Sequence, residues 1–339
     1  MALTPAHFPR LSPQDILDCQ VSSWYPLFSH ISIKTTIIKP VPPELREYLL
    51  ADGLFAPRGS TDDNDGSENE DDEDSETEDG KVSFAFPTLD AQIREAISKY
   101  DAVFPKLNWS SPKDAQWVLS TSEFMRCTTP AEVYLSLKAS DFVQHDLNPA
   151  FVFEHLDAPE YELELVLKKW YTFHRSREMR CFVRGSILIA ISQRDLVYYD
   201  FLTADDAQNT IRNTIYRLWK EEIDPKWGSH TDYIFDVLLT RDLERAHIVD
   251  FNPYAPKTDS LMFTYEELQS IHSSSSASGF SPVLRIIDSR SHPLANVNGP
   301  LNQHNMLPLD AFSLSQGKTG QEFADALADA IQEANAREE

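Results

Sequence analysis

Apolar and polar positions repeat along this chain with two different periods, and the period separates helices from strands. Leu89, Ile93, Ile97 and Tyr100 fall on one helical face, with Thr88 placed to cap its start. A second helix is expected from Thr129-Pro130, with proline at the first helical position, where its missing N–H costs little. A third covers residues 206–220, where Ala207, Ile211, Ile215, Leu218 and Trp219 form an apolar stripe read as a core face. Residues 322–334 alternate Ala with acids and predict a terminal helix of modest strength.

Strands announce themselves by β-branched runs. Ile31, Ile33, Thr35, Thr36, Ile37 and Ile38 end at Lys39-Pro40-Val41-Pro42-Pro43. Proline cannot join a central ladder, so the segment predicts a strand, a break and a short helix over residues 43–50. Further strands are expected at 102–107, 163–167, 179–183, 186–192, 233–239, 246–251 and 283–287. Helices interleaved with hairpin-linked strands indicate an α+β fold with largely antiparallel sheets. The serine run at 270–276 reads as a flexible loop, and no internal repeat is present.

With 339 residues, 41% hydrophobic and 11% aromatic, the chain can bury a large core, and its length suggests two lobes. The formal charge of −24 argues against direct nucleic-acid binding, which needs clustered Lys and Arg. Half of that charge is local, because residues 61–80 carry twelve Asp and Glu and no Lys or Arg. Such a tract is expected to be a disordered surface loop, or alternatively a docking tail for a basic partner. Cys19, Cys127 and Cys181 lack paired spacing, so neither a disulfide framework nor a zinc ribbon is expected. The longest apolar run, residues 187–191, is only strand length, and the N-terminus lacks a basic-then-apolar signal. These features predict a soluble cytoplasmic protein, monomeric on its own, with no membrane association.

The most informative constellation surrounds Asp236 and Asp250. If the turn through residues 240–245 is centred on Leu243, antiparallel pairing sets Asp236 opposite Asp250, with Cβ atoms roughly 4.5–5.5 Å apart. Alternation would put Ile248, Asp250 and Asn252 on one face. Facing carboxylates call for a compensating cation, and two carboxylates with an amide oxygen suit Mg²⁺ shared with phosphates. The absence of His and Cys beside them disfavours zinc. The alternative is that one aspartate pairs with Arg241 or Arg245 at a solvated hairpin end.

Two further segments are ambiguous alone. Lys106 ends an apolar strand before the turn Leu107-Asn108-Trp109-Ser110-Ser111-Pro112-Lys113, which could set an ammonium and backbone N–H groups around a phosphate; Lys106 could equally be a surface lysine. No Walker or glycine-rich dinucleotide pattern occurs. Arg180 and Arg194 could offer guanidinium forks to phosphate oxygens, with Leu167 and Trp170 walling a purine; alternatively Arg180 pairs only with Glu178 and the aromatics are core.

Taken in order, several motifs resemble the cell division cycle protein 123 family. They are Ser22-Ser23-Trp24-Tyr25-Pro26, Tyr48-Leu49-Leu50-Ala51-Asp52-Gly53, the stretch 105–115, and Lys168-Lys169-Trp170. Arg180-Cys181-Phe182-Val183, Ser192-Gln193-Arg194-Asp195 and Asp250-Phe251-Asn252-Pro253 complete the set, and the resemblance spans about residues 21–308 outside the acidic and serine-rich insertions. It implies an ATP-grasp fold, two α+β lobes closing on a nucleotide between antiparallel sheets. It also implies that Lys106 contacts ATP phosphates and that Asn108, Trp109, Ser110 and Ser111 cover them. Leu167, Lys168, Lys169 and Trp170 would form the hinge that holds adenine through backbone groups. Glu178, Arg180 and Arg194 would reach the nucleotide, and Asp236, Asp250 and Asn252 would hold Mg²⁺. Two departures stand out: a Ser-Ser-Pro-Lys-Asp turn replaces the usual glycine-rich phosphate loop, and His174-Arg175-Ser176-Arg177 is unusually basic.

The organisation expected on this basis is an N-terminal lobe (1–60 and 81–128), the acidic loop (61–80), and a central and C-terminal lobe (129–268). A flexible serine-rich loop (269–280), a return segment (281–318) and a C-terminal helix or tail (319–339) would follow. The family's role implies an ATP- and Mg²⁺-binding assembly chaperone for the γ subunit of translation initiation factor 2, supporting translation and cell-cycle entry. The competing expectation is an ATP-grasp ligase that forms an acyl phosphate and transfers it to an amine. No nucleophile or second-substrate pocket is evident in the sequence, so no catalytic residue is assigned.

Overall fold

The computed structural model describes residues 7–61, 83–117, 125–154, 156–227, 230–275 and 280–297. The acidic tract beyond Thr61 and the helix expected at 322–334 lie outside the described residues. The chain divides into two compact units, Met1–Asp288 and Ser289–Glu339, so the expected return segment is split at Asp288. Within the second unit the described residues include a short helix, Pro293–Val297.

The first unit contains a three-stranded and a five-stranded sheet. In the smaller, β1 (Thr35–Ile38) and β2 (Val103–Lys106) flank β3 (Leu165–Lys169), antiparallel on both sides. Alternation along β3 sends Leu165 and Leu167 into a core with Ile38, Leu45, Tyr48, Ile93 and Tyr134, whereas Val166 points the other way. That core reaches from Ile38 to Leu167, across the boundary expected at 128. The helices Glu44–Leu50, Pro87–Tyr100 and Pro130–Lys138 cover it. Pro87 opens its helix at the first position, so Thr88 lies within the first turn and is not the cap. Thr129 does cap, in a reciprocal box with Glu132.

The larger sheet runs in the order β7-β6-β4-β5-β8. Its strands are β4 (Glu178–Arg184), β5 (Ile187–Gln193), β6 (Tyr233–Leu239), β7 (Ala246–Pro253) and β8 (Val283–Arg285). All pairings are antiparallel except β5 with β8, so the mixed α+β, largely antiparallel expectation holds. One face, with Met179, Cys181, Val183, Phe235 and Val237, packs on Ile211 and Ile215 of the helix Asp205–Leu218. Trp24 and Phe28 join that core from a helix, Val21–Phe28, that the sequence reading did not separate from its surroundings.

The expectation for the serine-rich stretch is overturned. The serine-rich stretch is not a loop from residue 269 onward: Tyr265–Ser274 is a helix. Thr264 and Glu267 form a capping box at its start, and Leu268 is buried against Phe182, Ile234 and Phe263. Burial of that apolar face outweighs the low helix propensity of serine.

Candidate functional site

Period-two alternation puts Glu178 and Arg180 on the face of β4 opposite to Met179 and Cys181. Because β6 lies beside β4, Arg180 stands opposite Asp236, and Asp236 in turn stands opposite Asp250. Arg180 grips Asp236 in a fork, with Nε to Oδ1 and Nη2 to Oδ2 both at 2.8 Å, and its Nη1 donates to the Asp259 carbonyl at 2.8 Å. Lys106, carried in from β2 and 1% exposed, donates to Oδ2 of Asp250. Lys168 of β3 donates to the Val249 carbonyl. Arg194 Nε bonds Glu178 Oε1 at 2.9 Å and lies 3.8 Å from Asp236 Oδ2.

The facing aspartates are where the sequence places them, but by a different route. Near the turn the ladder pairs Leu239 with Ala246 and Val237 with Ile248, one residue tighter than a turn centred on Leu243 requires. A bulge at Val249 restores the register, so that Asp236 meets Asp250. The bulge also separates Ile248 from the expected shared face: Ile248 joins the core with Ala246 and Phe251, while Asp250 and Asn252 remain on the other side. The freed carbonyl of Val249 is the one that receives Lys168. Neither Arg241 nor Arg245, both exposed, is the partner of an aspartate in this pair; Arg180 and Lys106 are. Arg180 likewise takes Asp236 as its partner, leaving Glu178 to Arg194.

The electrostatics follow from burial and crowding. Burial alone would raise the Asp236 carboxyl, but Arg180, Arg194 and Lys113 outweigh it and hold it well below the usual carboxylate range. Burial lowers Lys168 to about 8, with Asp250 opposing and Lys106 adding to the shift. Burial and the neighbouring Arg194 lower Lys113 to about 8, against the pull of Glu178 and Asp236. Five cationic side chains, Lys106, Lys113, Lys168, Arg180 and Arg194, thus meet four carboxylates, Glu178, Asp236, Asp250 and Asp259. In a chain of net charge −24, this local excess of positive charge suits a multivalent anion.

Other expected site residues are held elsewhere. Asn108 is fully buried; its Nδ2 donates to Gln20 Oε1 at 3.2 Å and the Glu162 carbonyl at 2.8 Å, and its Oδ1 accepts from the Glu164 N–H at 3.1 Å. The backbone N–H groups of Trp109 and Ser110 both donate to Asp146 Oδ2 at 2.8 Å, and the Ser110 hydroxyl donates to its Oδ1 at 2.6 Å. The Trp109 indole donates to the Ile16 carbonyl at 2.8 Å. The Ser111 carbonyl accepts from the Lys113 N–H at 2.8 Å. Of the segment Asn108–Ser111 expected to cover phosphates, the backbone donors of Trp109 and Ser110 are therefore occupied.

At the expected hinge, Leu167 is fully buried and paired on both edges, to Thr36 and to Pro105, so it walls no base. The N–H groups of Lys169 and Trp170 are taken by the carbonyls of Lys34 and Ala102, at 2.7 and 3.0 Å. A base held there would have to use carbonyl oxygens or side chains. Arg126 lies over the Trp170 ring at 5.7 Å.

The donor set for a metal is two carboxylates and an amide. Among the described residues no group of three or more His, Cys, Asp and Glu is arranged to hold an ion. Asn252, however, has a buried Nδ2 without a hydrogen-bond partner, so no protein group fixes which way its amide faces. A carboxylate oxygen that accepts one hydrogen bond keeps further lone pairs, so Asp250, Asn252 and Asp236 retain capacity for a hard cation. They fit Mg²⁺ provided phosphate oxygens complete its shell.

Two residues of the site were missed by sequence reasoning. Lys113 stood in a turn read only as a phosphate loop, and Asp146, which pins that turn, carries no local signal. No helix among the described residues is long and apolar enough to cross a membrane. All three cysteines are buried, and burial together with Asp250 pushes the Cys19 thiol well up, which favours its protonated form.

Comparison with known proteins gives one answer. Residues 24–315 match the family described as D123. A Schizosaccharomyces pombe protein named translation initiation factor eIF2 assembly protein is 36% identical over 338 residues, covering 96% of this chain and 98% of that one. A Candida glabrata protein named cell division cycle protein 123 is 36% identical over 275 residues, covering 75% of this chain and 76% of its own length. The solved structure of Cdc123 from Schizosaccharomyces pombe superposes with a TM-score of 0.65 at 36% identity, covering 82% of this chain and 99% of that one. On family match, identity and fold together, the chain belongs to the D123 family, which includes the proteins called cell division cycle protein 123.

Proposed function

We propose that this chain binds ATP with Mg²⁺ in an ATP-grasp-like cleft bounded by its two largely antiparallel sheets, and uses that state to assist assembly of translation initiation factor 2. The observation that carries the nucleotide reading is the gathering of five cationic side chains against four carboxylates where β2 and β3 meet β4, β6 and β7. In this reading Lys106, Lys168, Arg180 and Arg194 face phosphates, and Asp236, Asp250 and Asn252 hold Mg²⁺, which neutralises phosphate charge when bound. Lys106 is the residue for which an incoming phosphate competes with Asp250.

The assembly role is supported by the relatives' name, translation initiation factor eIF2 assembly protein. The partner in this proposal is the γ subunit, and the process is heterotrimer formation in the cytoplasm, upstream of translation initiation and cell-cycle progression. Calorimetry of ATP with and without Mg²⁺, followed by a pull-down of the γ subunit with wild type and Asp250→Ala, tests both halves. The proposal expects magnesium-dependent binding and a weaker pull-down by the variant. Absence of nucleotide binding, or capture that ignores the substitution, would count against it.

A further inference from the structure

Residues 7–18 form one segment that is held by different means at its two ends. At the far end Ser12 caps the short helix Pro13–Asp18 in a reciprocal box with Asp15. Ile16 of that helix is buried with Val152 and Phe153, and its carbonyl accepts from the Trp109 indole at 2.8 Å. At the near end the hold is a side-chain contact: the Phe8 ring lies 4.4 Å from that of Tyr265 and 6.4 Å from that of Tyr254, centre to centre. His7 Nε2 is 3.9 Å from Glu266 Oε1. Among the described residues no backbone hydrogen bond ties down residues 8–11. The buried Nδ1 of His7 and hydroxyl of Tyr254 have no hydrogen-bond partner either. Polar atoms buried unpaired count against the contact that buries them, so this end is the easier one to lift.

What Phe8 presses on is the support of the loop 254–263 that follows β7. The Tyr265 hydroxyl lies within hydrogen-bond reach of the Ala255 and Thr258 carbonyls, at 2.9 and 2.5 Å. The next carbonyl, that of Asp259, accepts from Arg180 Nη1 at 2.8 Å. Lys257 donates to the Phe151 carbonyl and lies 3.0 Å from Glu154, which returns the loop to the helix Pro149–Val152 beside Ile16. The segment and the loop thus close a circuit, Phe8 to Tyr265 to loop to helix to Ile16. Inside the loop Leu261 is held at φ 55°, a conformation that leucine rarely adopts and that release of the loop would let it leave.

We propose that residues 7–11 are a releasable strap that pivots at Ser12 and is clasped by Phe8. Closed, the strap fixes the loop 254–263 through Tyr265 and so keeps the Asp259 carbonyl on Arg180. Open, it frees the loop, and the guanidinium loses the contact that supplements its fork to Asp236. Phe8 and Tyr265 are then positioning residues for Arg180, although neither touches it through a hydrogen bond. The strap stands apart from the nucleotide reading above; its effect on anion affinity rests on that reading.

The test is hydrogen–deuterium exchange of the full chain in wild type, Phe8→Ala, Tyr265→Phe and the double variant, with a tripolyphosphate titration of each. In wild type, residues 8–11 should exchange faster than residues 16–18. Phe8→Ala should speed exchange at 255–261 at least tenfold and leave the paired amides of β4 and β6 unchanged, which a general loss of stability would not do. Tyr265→Phe keeps its ring against Phe8 but drops the hydroxyl, so it should loosen the same loop. The double variant should exceed the looser single variant by no more than about twofold, because both changes act on one link. Tripolyphosphate should bind Phe8→Ala about threefold more weakly than wild type. With the loop loosened as expected, a wild type that binds no tripolyphosphate would refute the nucleotide reading and leave the strap standing. Unchanged loop exchange in Phe8→Ala, or exchange raised equally in β4 and β6, would overturn the strap. Full tripolyphosphate affinity in a Phe8→Ala chain whose loop has come loose would overturn the positioning of Arg180.

Discussion

Asp236 and Asp250 face each other across the β6–β7 ladder, and each is held by a cation from a different strand, Arg180 from β4 and Lys106 from β2. The like-charge repulsion that such a pair would suffer is thus met inside the protein by two side chains. In the function proposed above, the same two cations would contact the phosphates, so that fold stability and ligand binding would share one set of charges.

The Arg180–Asp236 fork is almost fully buried, with side chains 7% and 4% exposed. Removing the carboxylate leaves a buried guanidinium without compensation, so Asp236→Asn should lose about 3–5 kcal/mol of unfolding free energy. The folded-state carboxyl is held low, so its stabilisation is present above the ordinary carboxylate range and is lost as pH falls through and below it. Urea titrations at pH 7 and pH 3 should show the deficit of Asp236→Asn shrinking at the lower pH.

Lys106 and Asp250 are unequally buried, 1% against 18% exposed. Asp250→Ala strands a buried ammonium, whereas Lys106→Met leaves a carboxylate that reaches water. Asp250→Ala should therefore be the more destabilising of the two, by about 1–2 kcal/mol, and adding Lys106→Met to it should restore stability rather than lower it. Denaturant unfolding of the two single variants and the double variant measures this.

Lys113 and Lys168 both lie near 8, lowered chiefly by burial. Above that pH the free protein loses these charges, so affinity for a polyphosphate should be full below pH 8 and fall as pH rises. Between pH 7 and pH 9 the loss is about tenfold for each lysine the ligand needs. Stability of the unliganded chain runs the opposite way: the unfolded lysines keep their protons up to about 10.4, so unfolding free energy should rise with pH from 8 to about 10. Binding titrations and urea midpoints over this range check both slopes.

Deleting Val249 removes the bulge and with it the carbonyl that accepts from Lys168. Asp236 would still oppose Asp250, because the ladder nearer the turn already runs in that register. Lys168 would be left buried without an acceptor, so the deletion should cost about 1–3 kcal/mol in thermal or urea unfolding while the core face of β7 keeps its alternation.

Much of the fold was legible because β-branched runs and apolar stripes report local structure directly; the stripe at Ile211 and Ile215 and the Thr129-Pro130 helix start are examples. The facing aspartates were also reached, although a tighter turn and a compensating bulge produced the register. What periodicity cannot supply is which hairpin lies beside which. That β6 neighbours β4, and so gives Arg180 to Asp236, comes from tertiary packing alone. The turn at Trp109–Ser110 was misread as open to ligand for the same reason, since the carboxylate that occupies it lies 37 residues from Trp109. At 265–274, serine composition masked a capping box and one buried leucine that suffice for a helix.

The central claim is that the facing aspartates share a magnesium ion with a nucleotide, and equilibrium dialysis of ATP against wild type and Asp250→Ala, with Mg²⁺ and with EDTA, tests it most directly. The account predicts that Mg²⁺ tightens ATP binding to wild type and that Asp250→Ala loses this gain while still binding some free ATP. A wild type that holds no ATP, or a variant that keeps the full magnesium effect, would contradict it.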